Sequence, residues 1–345
     1  MIKRNRKNVK KSQGSKERKT SKKLKSENGS VIRDILSGQG GLTPLGRTLQ
    51  AFKLMKEIHP PKVSAKCWSL MDAKNGEIIC SKKGNKKREI ASLTKMMTCL
   101  CICKLIKQYG INPKTIYIQV SKYASTIGGT SANLQCKDVL SIWDLMHALM
   151  LPSGNDAAIS LAESFGSYIY LKSEKCKART KQDPQHATKK VKNAIKYFLN
   201  LMNKTAIDLG LKNTYYANPH GLINSDSYST ALDQAKLTLE VLKWDIIREV
   251  VDKREYSCEI EQGDGVNRIV KWENTNKLLG RKGWYGVKTG ITTTAGPSLS
   301  AYYHHENEQY IIILLNSSSM DIRWVEALKI VDWAAKHKDQ RNLVF

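Results

Sequence analysis

The chain has 345 residues, enough for one large domain or two ordinary ones with a substantial buried core. Its hydrophobic fraction of 41% and aromatic fraction of 7% are typical of a globular protein, and no apolar run approaches the roughly 18 residues that a transmembrane helix needs. The formal net charge is +26, of which residues 1–26 contribute +11 through twelve basic residues opposed by Glu17 alone.

Residues 1–30 are predicted to be a disordered basic tail, because they contain too few apolar residues to offset the entropy of ordering. No apolar core follows the basic start, so no secretory signal is predicted. A transit or nuclear signal and weak polyanion binding by residues 3–25 stay open beside a merely solvated tail. Residues 31–58 are predicted to be a linker, which could form a short helix before Pro60-Pro61.

Two short strands are predicted within residues 62–84, joined by a turn at Asn75-Gly76. A long helix follows from Ser92 to about Gln108, and it is apolar on nearly every side, which predicts a central, buried helix. The same helix carries Cys99, Cys101 and Cys103, and we expect them to serve as small core residues.

Ser92 and Lys95 are three residues apart, so both side chains can share one face of this helix. Burial lowers the pKa of a lysine, and a neutral amine can take the proton of a serine hydroxyl as its oxygen attacks a carbonyl. This pair is therefore a candidate nucleophile and base. The alternative is a lysine whose stem packs in the core while its ammonium reaches water.

Two further helices are predicted, and "LPSG" separates them with a proline and a glycine. Ser153 and Asn155 are expected on this loop, where a hydroxyl could relay a proton and an amide could orient a substrate carbonyl or Lys95. The alternative is an ordinary helix N-cap. Residues 170–196 are polar and basic and predict a surface insertion that leads into another helix.

The last third of the chain predicts three strands, within residues 284–292, 296–305 and 309–318, and a final helix over 323–336. Lys288, Thr289 and Gly290 lie on the first of these strands. A sheet edge with a lysine, a hydroxyl and a residue without a side chain can dock an extended peptide and hold its carboxylate.

The chain thus begins and ends in one antiparallel sheet with a helical region between, which predicts the α+β class. Eight cysteines without a secretion signal predict free thiols in the cytoplasm or another reducing compartment.

Taken together, S-x-x-K at Ser92, S-x-N at Ser153 and K-T-G at Lys288 resemble the serine D-alanyl-D-alanine carboxypeptidases, the low-molecular-mass penicillin-binding proteins. Longer blocks such as "LMLPSGNDAAISLAESFG" and "GVKTGITTTAG" carry the same resemblance over about residues 60–338. It implies the β-lactamase/transpeptidase-like fold, a five-stranded antiparallel sheet flanked by helices with an inserted all-helical region, here within a catalytic domain over residues 59–340.

The resemblance also implies roles for individual residues. Ser92 would be the acylated nucleophile and Lys95 its base, with Ser153 as a proton relay and Asn155 contacting the substrate amide. Lys288, Thr289 and Gly290 would bind substrate, the backbone N–H groups of Ser92 and Ile291 would form the oxyanion hole, and Arg323 would hold the terminal carboxylate. The resemblance therefore assigns a role to nine residues: Ser92, Lys95, Ser153, Asn155, Lys288, Thr289, Gly290, Ile291, Arg323.

The implied reaction is two-step acyl transfer on a small peptide ending in D-Ala-D-Ala, without a metal or organic cofactor. β-Lactams would acylate the same serine, and no counterpart is found of the glutamate that class A β-lactamases use for deacylation. Ser227 replaces a histidine frequent in the family, and no membrane anchor is expected after the last helix. Two rival hypotheses are a catalytically idle binding or scaffold protein on this fold, and a nucleic-acid-associated protein that uses its basic tail.

Overall fold

A computed structural model describes residues 59–172, 186–262 and 267–337, and for residues 186–192 it describes the backbone alone. Residues 63–329 form one compact unit, while residues 59–62 and 330–337 belong to a second one. The predicted tail and linker, and the polyanion binding expected of residues 3–25, lie outside the described residues.

The main sheet has five antiparallel strands in the order β2-β1-β9-β8-β7. The strands are β1 Cys67–Asp72, β2 Ile78–Lys82, β7 Trp284–Gly290, β8 Ser298–His305 and β9 Glu308–Leu315. The chain therefore begins and ends in one sheet, as predicted, and both the α+β class and the five-stranded antiparallel sheet are confirmed. Gly76 in the β1–β2 turn has a φ of 77°, the left-handed conformation that the Asn75-Gly76 pair predicts.

Eight helices occur within the described ranges. They are α1 Thr94–Tyr109, α2 Lys122–Ser125, α3 Ile142–Met150, α4 Asn155–Lys172, α5 His186–Asp208, α6 Ala231–Val241, α7 Asp245–Val251 and α8 Ile322–Lys336. Helix α1 is buried from Thr94 to Cys103. It ends at Tyr109 and is capped by Gly110, whose φ is 63°. Cys99, Cys101 and Cys103 are at most 1% exposed, so they do pack in the core.

The segment predicted as a polar insertion is largely helical where it is described. Helix α4 continues to Lys172, and α5 starts at His186, ten residues before the expected start at Lys196. The two helices approach closely at Gly166, where a Cβ would lie 2.0 Å from the carbonyl oxygen of Ala194. Ala194, Phe198 and Met202 recur at helical spacing on α5 and are buried.

The inserted region is not all-helical, which corrects the expectation drawn from the resemblance. It contains a second sheet in the order β3-β4-β5-β6, with β3 Tyr117–Gln119, β4 Val139–Ser141, β5 Glu255–Glu261 and β6 Asn267–Glu273. The first two strands have three residues each, too short to produce a periodic pattern. Strand β4 leads into α3 through a capping box at Ser141, whose hydroxyl accepts from the backbone N–H of Asp144.

Within the part of the chain that is described, no helix is both long and apolar enough to cross a membrane. Six cysteines there, Cys67, Cys99, Cys101, Cys103, Cys136 and Cys258, are free thiols, of which Cys136 is exposed and the others are buried or half-buried.

Candidate active site

Ser92 lies on a short 3₁₀ turn, Ala91–Leu93, immediately before α1. Ala91 has a φ of 49°, a left-handed conformation that costs a residue with a side chain about 1 kcal/mol or more. The loop at Gly221 holds this turn in place, because a Cβ there would lie 2.0 Å from the carbonyl oxygen of Ala91. Backbone packed against backbone thus fixes the direction in which the Ser92 side chain leaves the turn.

Lys95 is fully buried one turn later, and three oxygens surround its ammonium nitrogen. Nζ lies 3.0 Å from Ser92 Oγ, 2.7 Å from Asn155 Oδ1 and 2.7 Å from the carbonyl oxygen of His220. The structure therefore brings the predicted pair into hydrogen-bond contact and excludes the alternative in which Lys95 reaches water. In this position Lys95 can exchange a proton with Ser92.

Burial lowers the pKa of Lys95 well below its ordinary value, and the charge of Lys288 lowers it further. Asp156 acts in the opposite direction. His220 is also buried, and burial together with the charge of Lys95 lowers its pKa to about 3. The imidazole of His220 is accordingly neutral at pH 7, and its Nδ1 accepts from the backbone N–H of Leu222 at 3.1 Å.

Asn155 is the first residue of α4 and not a loop residue, which corrects the predicted boundary. Its Nδ2 donates to the carbonyl oxygen of Gly128 at 2.7 Å. This bond fixes which way the amide faces, because the donor end is occupied and Oδ1 is left to accept from Lys95.

Ser153 does lie on the loop before α4, with a φ of 68°. It is 3% exposed, and its Oγ has no hydrogen-bond partner among the described residues. Thr130 Oγ1 donates to the Ser153 carbonyl oxygen at 2.6 Å, and the backbone N–H of Asn155 donates to the Thr130 carbonyl oxygen at 2.8 Å. A strained backbone thus holds a hydroxyl that the surrounding protein leaves without a partner.

Strand β7 brings the third motif to the same place. Lys288 is 1% exposed, its Nζ donates to the carbonyl oxygen of Thr289 at 3.2 Å, and burial and the charge of Arg323 lower its pKa to about 7. Thr289 Oγ1 lies 2.7 Å from Thr275 Oγ1. A protonated Lys288 amine and the Thr289 hydroxyl are both groups that can donate hydrogen bonds to a carboxylate.

Gly290 ends β7 against the turn that carries Ser92. A Cβ at this position would lie 3.0 Å from the Ile90 carbonyl oxygen and 3.2 Å from the Ser92 nitrogen. The backbones meet closely only because residue 290 has no side chain. Ile291 follows directly in the chain and is 45% exposed.

Arg323, in the first turn of α8, lies beside this strand and is 3% exposed. Its Nη1 donates to the carbonyl oxygens of Ser298 at 3.0 Å and Gly290 at 3.3 Å. Burial lowers its pKa to about 10, so the guanidinium stays charged at neutral pH and adds to the positive field of Lys288.

Sequence reasoning missed several groups of this site. The His220 carbonyl is a backbone acceptor and leaves no side-chain pattern, although "NPHG" marks a tight turn. Asp156 follows Asn155 directly and accepts from the N–H groups of Ala132 and Leu134, which fastens the 130–134 loop to α4. No cluster of metal-ligating side chains is found in the described ranges.

The sequence profile of the D-alanyl-D-alanine carboxypeptidase family matches residues 54–169 and 188–319. The unmatched residues between them fall within the segment predicted as an insertion. Among solved structures, the Streptomyces K15 DD-transpeptidase superposes with a TM-score of 0.69 at 27% identity, covering 80% of this chain and 98% of that one.

Two curated relatives are longer than the matched region. The D-alanyl-D-alanine carboxypeptidase DacA of Haemophilus influenzae is 32% identical over 262 residues, which cover 73% of this chain and 58% of the relative. DacF of Bacillus subtilis is 28% identical over 271 residues, covering 78% of this chain and 62% of the relative. The chain therefore spans less than two thirds of either protein's length.

Proposed function

The chain belongs to the D-alanyl-D-alanine carboxypeptidase family, and we propose that it is an active serine carboxypeptidase that removes the terminal D-alanine from peptides ending in D-Ala-D-Ala. The observation that carries this proposal is the contact of Lys95 Nζ with Ser92 Oγ, Asn155 Oδ1 and the His220 carbonyl oxygen. The substrate class is inferred from the names of the relatives, and the reaction type is inferred from the geometry of the site.

The contacts of Lys95 support its proposed role as base when its amine is neutral. Two of its three neighbours, the Asn155 and His220 oxygens, can only accept hydrogen bonds. A neutral amine has two hydrogens and one lone pair, so both hydrogens are used and the lone pair faces Ser92. The Ser92 hydroxyl then donates to Nζ along the 3.0 Å contact, which is the arrangement a general base requires.

In the acylation step Ser92 Oγ attacks the carbonyl carbon of the penultimate D-alanine, and its proton passes to Lys95. The carbonyl electron pair moves onto the oxygen. The backbone N–H groups of Ser92 and Ile291 stabilise this oxyanion, an effect worth roughly 3 kcal/mol for each donor.

When the tetrahedral intermediate collapses, the carbon–nitrogen bond breaks and the amine of the terminal D-alanine takes a proton from Lys95. Ser153 relays that proton, which agrees with the absence of a partner for its Oγ among the described residues. Water then attacks the Ser92 ester, Lys95 takes the proton of the water and returns it to Ser92 Oγ, and the shortened peptide leaves. The base, relay and oxyanion donors are all groups of the chain, so no step is assigned to a metal or cofactor.

The positive charges beside β7 recognise the substrate's terminal carboxylate. Arg323 provides a charge that persists at neutral pH, a bound carboxylate would favour the protonated form of Lys288, and Thr289 Oγ1 provides a directional donor. A β-lactam presents a carboxylate and a reactive carbonyl in the same way, so penicillins should acylate Ser92 and act as covalent inhibitors.

Release of D-alanine from an N-acylated peptide ending in D-Ala-D-Ala tests the proposal. The wild type and the Ser318→Ala control, a change at an exposed serine, should release D-alanine, and Ser92→Ala should not. The same peptide ending in L-alanine should remain intact. Release that persists in Ser92→Ala, or a wild type that releases none, would favour the idle binding protein or another enzyme.

The proposed compartment is a reducing one, such as the cytoplasm. Six cysteines of the described ranges are free thiols, which is common in reducing compartments and rare in oxidising ones. Alkylation of thiols in a native cell extract, followed by mass spectrometry, should find these cysteines reduced. A disulfide between any two of them would contradict the assignment.

A further inference from the structure

A small cavity of about 160 Å³ lies between the start of β1 and the turn that follows β2. The turn has the sequence "KKGNKKR", five basic residues within seven. Four of these line the cavity, and a fifth base comes from the residues before β1: Lys66, Lys82, Lys83, Lys86, Arg88. No acidic residue belongs to the lining, which Ser64 and Cys67 complete.

Two of these bases are held in place by the protein. Lys82 Nζ donates to the carbonyl oxygens of Ala65 at 3.3 Å and Val63 at 3.5 Å. Arg88 is fixed through its backbone, which exchanges two hydrogen bonds with Ser229. Its Nε is closed to solvent and has no hydrogen-bond partner among the described residues. Because Nε is closed to solvent, an anion in the cavity would meet the terminal nitrogens of this guanidinium.

One carboxylate lies beside this cavity. Glu326 accepts from the backbone N–H of Ser64, a lining residue, and from Ser317 Oγ at 2.8 Å. These donors are uncharged, so the carboxylate offsets one of the five positive charges around the cavity and leaves an excess of four. The four lysines are exposed, so water and salt screen their repulsion, and a multivalent anion bound between them would remove what remains of it.

We propose that this cavity is a binding site for a phosphate-type oxyanion, either free phosphate or the phosphate group of a lipid headgroup. Tetrahedral oxygens suit a ring of ammonium groups with one guanidinium, since each oxygen can accept from a different donor. The site is separate from the acyl-transfer machinery, and its existence does not depend on the proposed carboxypeptidase activity.

Titration of the full chain with inorganic phosphate, followed by calorimetry at constant ionic strength with chloride as reference, tests the proposal. The informative variant is Lys83→Gln/Lys86→Gln, and Lys212→Gln/Lys236→Gln is the matched control, because it removes the same charge from two exposed lysines outside the cavity. The basic N-terminal residues are present in all three proteins, so the control shows whether a loss of phosphate binding comes from the cavity or from the lower net charge.

The wild type and the control should bind one phosphate saturably, and Lys83→Gln/Lys86→Gln should bind it about tenfold or more weakly, as expected for the loss of two charge-assisted contacts. Absence of saturable binding, or an equal loss in both variants, would overturn the proposal. Both variants should keep the thermal stability and penicillin acylation of the wild type, so a failure here is distinct from a failure of the proposed activity.

Cosedimentation with phosphatidylglycerol vesicles separates the two sources of the anion. A loss of vesicle binding in Lys83→Gln/Lys86→Gln alone supports a lipid headgroup as the ligand. Equal vesicle binding by all three proteins, together with the selective loss of inorganic phosphate binding, supports free phosphate.

Discussion

Replacement of Asn155 by aspartate tests Lys95 as the base. The new carboxylate would lie 2.7 Å from Lys95 Nζ, where the amide oxygen now is. At an effective dielectric constant of about 20, two unit charges at this distance attract by about 6 kcal/mol, which is a ceiling before the desolvation of the carboxylate is subtracted. If half of this remains, the pKa of Lys95 rises by about 2 units.

A rise in this pKa keeps Lys95 protonated and removes its lone pair at neutral pH. The second-order rate constant for acylation by a fluorescent penicillin should then fall at neutral pH, by at most about 100-fold for a rise of 2 units, and it should recover as the pH is raised from neutral into the alkaline range. Stopped-flow measurements over that pH range, with Asn155→Ala as the control, give both quantities.

Asn155→Ala removes the same hydrogen bond without adding a charge, so its loss of rate should not be repaired at alkaline pH. An Asn155→Asp variant whose pH profile coincides with that of the wild type, or moves towards acid, would refute Lys95 as the base.

Three further changes probe the surrounding site. Ser153→Gly should raise the free energy of unfolding by about 1 kcal/mol, because the φ of 68° suits glycine. The same change should slow acylation about tenfold or more through loss of the relay hydroxyl. Denaturant melts measure the first effect and acylation rates the second, and a destabilised variant would contradict the claim that the Ser153 backbone is strained. Gly290→Ala should slow acylation about tenfold by displacing the Ser92 N–H, and an unchanged acylation rate would show that this contact is not needed. Burial and Arg323 lower the pKa of Lys288 to about 7, so above that pH the unfolded state binds more protons there and stability rises with pH. Lys288→Met should flatten this rise in denaturant melts between pH 7 and about 9, and an unaltered slope would contradict the lowered pKa.

The main sheet and the buried helix α1 could be predicted because their patterns are local. The Asn75-Gly76 turn and the largely apolar run of α1 each specify one structure over a short stretch. The approach of Asn155 to Lys95 and of Gly290 to Ser92 is not local, and only the resemblance to a family predicts it.

The second sheet was missed for a physical reason. Strands β3 and β4 have three residues each, and only their pairing with each other and with β5 makes them strands. In β5 and β6 exposed and partly buried residues alternate, but only Ile260 and Trp272 are fully buried, so the apolar stripe that marks a strand is weak. The early start of α5 was missed because "HATKKVKNAIK" is strongly polar, so the helix had to be recognised from propensity and not from an apolar stripe.

The part played by His220 could not be predicted from side-chain patterns. Its contribution to Lys95 is a carbonyl oxygen, and any residue in that turn would offer one. Only the left-handed Gly221, packed against Ala91, brings this carbonyl to the buried amine.

The most direct measurement is the mass of the protein after incubation with penicillin, followed by peptide mapping. The wild type should gain the mass of one penicillin, and the adduct should lie on the peptide that contains Ser92. Ser92→Ala should gain none. An adduct on another residue, an adduct that persists in Ser92→Ala, or no adduct on either protein would contradict acyl transfer at Ser92.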